Sequence, residues 1–137
     1  MNKLLWVFQI VLVLAFGLFG AQKVFMPIED LIAFGMLWIE DFPAWQVRLI
    51  GALEVLGAIG LIAPYLVKAL PKGIVSLAAG GLALTMIGAI ATHVLRADPV
   101  LSIIITSMLF LMGVGVAFGR FSQLKKSAPA AAAEQPA

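Results

Sequence analysis

The sequence predicts an all-α integral membrane protein, a bundle of four transmembrane helices with both termini cytoplasmic. Three observations predict it. The 137 residues are 63% hydrophobic and only 12% charged, whereas a soluble domain is about half apolar and about a quarter charged. Mean hydropathy is +1.10, more apolar surface than one small core can hide. The apolar residues also gather into four runs, each close to the roughly 20 helical residues needed to cross a hydrocarbon core of about 30 Å. These runs are continuous rather than alternating, which argues against barrel strands. Backbone groups in lipid must satisfy one another, so each run is expected to be a helix.

The first helix is expected over 4–26, ending at Pro27. Lys3 before an apolar run, with Phe19-Gly20-Ala21 behind it, has the outline of a secretory signal, but the run is too long for a typical signal core and a retained helix is expected. The connection 27–43 is the longest. Trp38 within it and Trp45 just beyond suit an interfacial aromatic belt, and Leu31 to Trp38 is expected to form a short surface helix. The second helix is expected over 44–66, after Pro43, which suits a helix start. Pro64 and Pro71 bracket the turn into the third, 72–95. Asp98-Pro99 opens the fourth, 100–121, with Asp98 as its expected N-cap. Residues 1–121 form one transmembrane domain, and the Ala/Pro-rich stretch 122–137 is expected to be a disordered cytoplasmic tail. Orientation follows from the basic residues. Lys3, Lys68, Lys72, Arg120, Lys125 and Lys126 fall on the side of the termini. Lys23, Arg48 and Arg96 fall opposite, among Glu29, Asp30, Glu40, Asp41 and Asp98. An excess of positive charge inside puts the termini in the cytoplasm, in the inner membrane of a bacterial-type cell.

Several function classes drop out. There is no cysteine, so thiol relays, disulfides and iron–sulfur ligation are closed to the chain itself. His93 is the one histidine, too few for a three-histidine metal site or bis-histidine haem, and no metal is expected. A net charge of +2 gives no argument for nucleic acid. Gly57-Ala-Ile-Gly60 lies within an apolar helix and reads as packing, not as a phosphate loop. No complete catalytic or redox centre is visible, so enzymatic activity stays open.

The residue the membrane does not require is Glu54. Ten residues past Ala44, at 1.5 Å each, it lies about 15 Å along its helix, where an ionised carboxylate is costly. It is expected to face the bundle interior, on one stripe with Gly51, Ala58 and Leu61; small residues there allow close helix approach or leave room for a cavity. Arg48 is six residues away, about 120° around the helix, so each is expected to pair with another helix. Lys23, Arg48, His93 and Arg96 approach one level above Glu54, which outlines a polar pocket opening outward with Glu54 as its floor. Thr85, Gly88 and Thr92 add a small, weakly polar stripe. The candidate ligand-binding or proton-exchange residues are Glu54, Arg48, His93 and Lys23, supported by Arg96, Thr85, Thr92 and Gly51. Plainer readings stand beside these: Lys23 and Arg96 as interfacial anchors, His93 as a partner of its helix dipole, Glu54 as a packing-specific buried polar group.

Gly20-Ala-Gln-Lys23, the stretch Arg48-Leu-Ile-Gly51-Ala-Leu-Glu54-Val-Leu-Gly57-Ala-Ile-Gly60-Leu-Ile-Ala-Pro64, and Gly88-Ala-Ile-Ala-Thr-His93 together resemble the DoxX-like family of small four-helix membrane proteins. The similarity covers about 4–121, and the second-helix pattern is its specific part. The resemblance implies the four-helix fold and a loose setting in redox stress, quinone resistance and membrane oxidoreductase complexes, with the family's polar pattern falling on Lys23, Arg48, Glu54 and His93. Lacking cysteine, this chain has no thiol for an exchange with quinone. The leading expectation is a quinone-associated or accessory subunit of a membrane redox complex, with a quinone head group accepting hydrogen bonds from Arg48 and His93. The alternatives are a small-molecule binding or transport protein and a purely structural partner subunit. Expected partners are the lipid bilayer, a quinone or other small hydrophobic ligand, a membrane or redox protein, and further copies of the chain.

Overall fold

The structure, a computed structural model, describes residues 2–133, with side chains as far as residue 128. It is all α. Helix α1 spans Asn2–Phe25, α2 Ile28–Ala33, α3 Ala44–Leu66, α4 Gly73–Leu95 and α5 Val100–Ala133, with a 3-10 turn at Leu37–Asp41 between α2 and α3. Four of them, α1, α3, α4 and α5, are long and apolar enough to cross a membrane. They run alternately up and down in a closed ring: α1 packs on α3 and α5, and α4 packs on α3 and α5. One end of the ring, here the terminal end, carries the start of α1 and the end of α5. The other, the loop end, carries α2 and the 3-10 turn.

The expected boundaries 4–26, 44–66 and 72–95 match α1, α3 and α4 closely, because each is cut by proline or by loss of the apolar run. Two details differ. The short surface helix expected over Leu31 to Trp38 is two pieces, broken at Gly35, whose φ of +96° suits glycine. And α5 does not stop at 121 but continues to Ala133, into the tail expected to be disordered; Gln123, Leu124, Lys125 and Lys126 are good helix formers and carry a helix already begun as far as the alanines. The rest of that tail lies outside the described residues.

The helices are apolar all round and sort by residue size and contact. Leu12, Leu61, Val75 and Val116 are fully buried at the centre, towards the terminal end. Leu14, Leu56, Leu77, Leu84 and Leu111 are left exposed on the outer surface, an apolar mantle that lipid covers. At the loop end a second cluster, Leu31, Ile39 and Val47, fastens the 27–43 connection onto the start of α3.

Candidate ligand-binding site

The site begins with two glycines. A Cβ at Gly51 would lie 2.6 Å from the Cβ of Lys23 and 2.7 Å from the Gly20 carbonyl, and one at Gly20 would lie 2.9 Å from the Cβ of Glu54. Only glycine at both positions lets α1 and α3 cross this closely. That crossing brings Lys23 and Glu54 face to face. The Lys23 Nζ donates to both carboxylate oxygens of Glu54, at 2.8 and 2.6 Å. Lys23 is 7% exposed and Glu54 2%. Glu54, halfway along α3, therefore faces the interior, and its charge partner comes from α1.

Arg48 does something else. Its Nη1 donates to the carbonyls of Lys23, at 2.6 Å, and Met26, at 2.5 Å. The last carbonyls of a helix have no internal donor, and a cation there also meets the negative end of the dipole. Arg48 thus caps α1 and fixes the backbone of the residue that holds Glu54. As expected, Arg48 and Glu54 each pair with another helix, and it is the same one: both hold Lys23 of α1, one by its backbone and one by its side chain. The tight crossing at Gly20 and Gly51 lays α1 close along the loop-end part of α3, so two residues about 120° apart both meet it.

The third group is His93, near the end of α4. That helix closes with Ala97 in the left-handed region, at φ 54°, and with the Asp98 N–H bonded to the His93 carbonyl and the Ala97 N–H to the Val94 carbonyl. This paired C-terminal motif folds Asp98 back over α4. Its carboxylate takes His93 Nδ1 at 2.7 Å and Arg96 Nε at 3.3 Å. The hydrogen bond from His93 above all, with help from Arg96, holds the Asp98 carboxyl below the usual carboxylate range, against a smaller opposing effect of desolvation. Asp98 was expected to cap α5; its oxygens are instead committed to α4. Arg96 also pairs with Asp41, tying the connection to the α4–α5 turn.

Between these groups lies a cavity of about 470 Å³, within the usual range for small-molecule sites. Its wall is mostly apolar, with Phe16, Phe19, Met36, Trp38 and Met86 among the lining residues. Its polar points are Lys23, Glu54, Thr85, Thr92, His93, Ser102 and Thr106. Lys23 Nζ stands 5.7 Å from the Trp38 ring, which sits edge-on to Phe42; both aromatics roof the cavity from the connection. Of the residues expected at the site, Lys23, Glu54, Thr85, Thr92 and His93 line it. Arg48, Arg96 and Gly51 do not; they shape the elements that do. In the terminal half α1 and α5 touch, with Leu5 against Gly119 and Phe8 against Gly115. In the loop half Phe19 of α1 and Ile105 of α5 line the cavity while 45% and 48% exposed, so its wall reaches the lipid-facing surface between these helices.

A second polar cluster lies at the terminal end, where sequence reasoning placed nothing but surface charge. Arg120 is 6% exposed. Its Nε donates to Gln9 Oε1 at 3.0 Å, and its Nη1 to Asn2 at 2.9 Å and Gln123 at 3.1 Å. Its guanidinium lies 4.7 Å from the Trp6 ring and 5.7 Å from that of Tyr65, within reach of a cation–π attraction. Gln9 in turn donates to the Leu61 carbonyl at 2.6 Å. Pro64, inside the last turns of α3, leaves the neighbouring Gly60 carbonyl without its usual donor, and this stretch of backbone is where Gln9 docks. Gln9, the sole polar letter between Leu4 and Ala21, was the signal that could have found the cluster.

Among the described residues no group of three or more His, Cys, Asp or Glu is placed to hold a metal. No curated protein and no solved structure matches the chain. Residues 7–117, which contain the ion pair, the cavity and His93, match the DoxX-like family, and with that span matched this membrane protein of four candidate spans belongs to the DoxX-like family.

Proposed function

We propose that this protein holds a small amphipathic molecule of the quinone kind in the cavity beside Lys23 and Glu54, and serves as an accessory subunit of a membrane redox complex. The observation that carries this reading is a largely apolar cavity with a buried ion pair in its wall, reaching the lipid-facing surface between α1 and α5. A molecule dissolved in the bilayer has a route to it that avoids water. Lys23 keeps one N–H beyond the two bound by Glu54, and that N–H is the donor available to a ligand oxygen. Arg48 and the His93 Nδ1, first expected to serve that oxygen, are bound to protein acceptors. With no cysteine and one histidine, the chain offers binding and orientation, and the electron-transferring groups belong to the ligand and the partner.

The same reading sets the loop end outside and the termini in the cytoplasm of a bacterial-type inner membrane. Each loop-end cation is engaged within the protein: Lys23 by Glu54, Arg48 by carbonyls, Arg96 by Asp41 and Asp98. The uncompensated positive charge is left at the terminal end, as the positive-inside rule favours. Uptake across the bilayer has less support, since fully buried Leu12, Leu61, Val75 and Val116 fill the bundle below the cavity.

Trp38 in the roof is a built-in reporter. A decyl-substituted benzoquinone titrated into protein in nanodiscs is expected to quench its fluorescence saturably, and Trp38→Phe to remove that component. Unchanged saturable quenching in both Trp38→Phe and Glu54→Gln would contradict the site.

A further inference from the structure

We infer that the cavity selects a hydroxyl-bearing ligand, an apolar-tailed phenol or hydroquinone, over a counterpart whose oxygens can only accept. This rests on the reading of the cavity as a ligand site and adds the chemistry of its occupant.

The wall holds more acceptors than donors. A threonine hydroxyl has one proton and two lone pairs. In the cavity wall Thr85 donates its proton to the Leu82 carbonyl at 2.7 Å, Thr92 to the Gly88 carbonyl at 2.9 Å, and Thr106 to the Ser102 carbonyl at 2.8 Å. All three bind back to their own helices, so each offers the cavity only lone pairs. The Asp98 carboxylate accepts from His93 Nδ1 at 2.7 Å. In the neutral ring the other nitrogen is then an acceptor. Glu54 adds carboxylate oxygens. On the donor side the wall has the remaining N–H of Lys23 and the Ser102 hydroxyl. Arg48 and Arg96, whose guanidinium groups would favour a carbonyl, are absent from the wall and bound elsewhere.

A carbonyl or ether oxygen can meet Lys23 but sets lone pair against lone pair along the threonine and histidine side. A hydroxyl meets both, accepting from Lys23 and donating to an acceptor. A ligand hydroxyl gains a hydrogen bond that the analogue lacking it cannot make, so the analogue binds more weakly.

The test is a matched pair that differs in this one proton, 4-octylphenol and 4-octylanisole. Each is titrated at pH 8 into the full chain in nanodiscs, with Trp38 fluorescence as readout and empty nanodiscs correcting for partition. The phenol is expected to bind at least about tenfold more tightly. Thr85→Val, of the same shape, and His93→Phe are each expected to cut that advantage severalfold, weakening the phenol and relieving the lone-pair repulsion on the anisole; the valine variant keeps the test open if the phenylalanine variant fails to fold. Equal affinity for both ligands in the unaltered protein would overturn the selectivity and leave the cavity standing. Saturable quenching by neither would remove the cavity as a ligand site and the selectivity with it.

Discussion

The two ends of the bundle each bury a basic side chain, and they do so differently. At the loop end Lys23 meets a full countercharge, Glu54, and the pair stands in the wall of a cavity. At the terminal end Arg120 meets the neutral amide oxygens of Gln9, Asn2 and Gln123 and the faces of Trp6 and Tyr65, and it lines no comparable space. A guanidinium is weakly hydrated and stacks on aromatics, so it can be buried by packing and scattered hydrogen bonds. An ammonium is a strongly hydrated point charge, and the chain answers it with a carboxylate. The terminal cluster joins α1, α3 and α5, pairing Arg120 through Nε and Nη1 while its Nη2 is buried without a hydrogen-bond partner. The loop-end site pairs Lys23 with both Glu54 oxygens in the wall of the cavity. One buried charge is packed among side chains, and the other stands in the wall of a cavity.

The largest expected effect separates the two ends. Glu54→Gln leaves Lys23 buried without a countercharge, and breaking such a pair costs about 3–5 kcal/mol. Thermal unfolding in detergent is expected to show that loss, with partial recovery in the double variant Glu54→Gln, Lys23→Met. Ligand quenching is expected to be lost in both. Arg120→Met is expected to cost less, about 1–3 kcal/mol, mainly by stranding Gln9, and to leave ligand quenching at the loop end unchanged. Equal losses of binding in the Glu54 and Arg120 variants would erase the distinction drawn between the ends. The smallest expected effect has the opposite sign. Ala97 is held at φ 54°, where a residue with a Cβ is strained. Ala97→Gly is expected to raise stability by about 0.5–1 kcal/mol, the relief of strain less the added freedom of the unfolded chain. It keeps Asp98 over His93, so phenol binding is expected to hold.

How much of this could be read beforehand varied with the physics behind each feature. The spans were legible because length and hydropathy are local: Pro43 and Asp98-Pro99 mark the starts of α3 and α5 within a residue or two. Glu54 was legible as an interior group because lipid forbids the alternative. Its partner was not, because Lys23 reaches it only at the depth of the Gly20–Gly51 crossing, which exists only once two helices pack. The glycines were visible; which helix they admitted was not. Arg120 was hidden for a related reason. A basic residue at the end of an apolar run is usually a surface anchor, and only the three-helix meeting of Gln9, Tyr65 and Arg120 takes it out of water. Asp98 was read from its neighbour Pro99 as a cap, and lost that role to a turn that depends on an alanine in an unfavourable conformation. The extension of α5 was missed by weighing the prolines of the tail above its helix formers.

If a molecule occupies the space beside Lys23 and Glu54 in the native membrane, native mass spectrometry of the protein extracted from that membrane detects it, with Ala15→Phe, which places a ring into the cavity wall, measured alongside. The unaltered protein is expected to carry a bound amphipathic molecule, and Ala15→Phe, folded to the same thermal stability, is expected not to. An empty unaltered protein, or the same molecule carried equally by both, would contradict that occupancy.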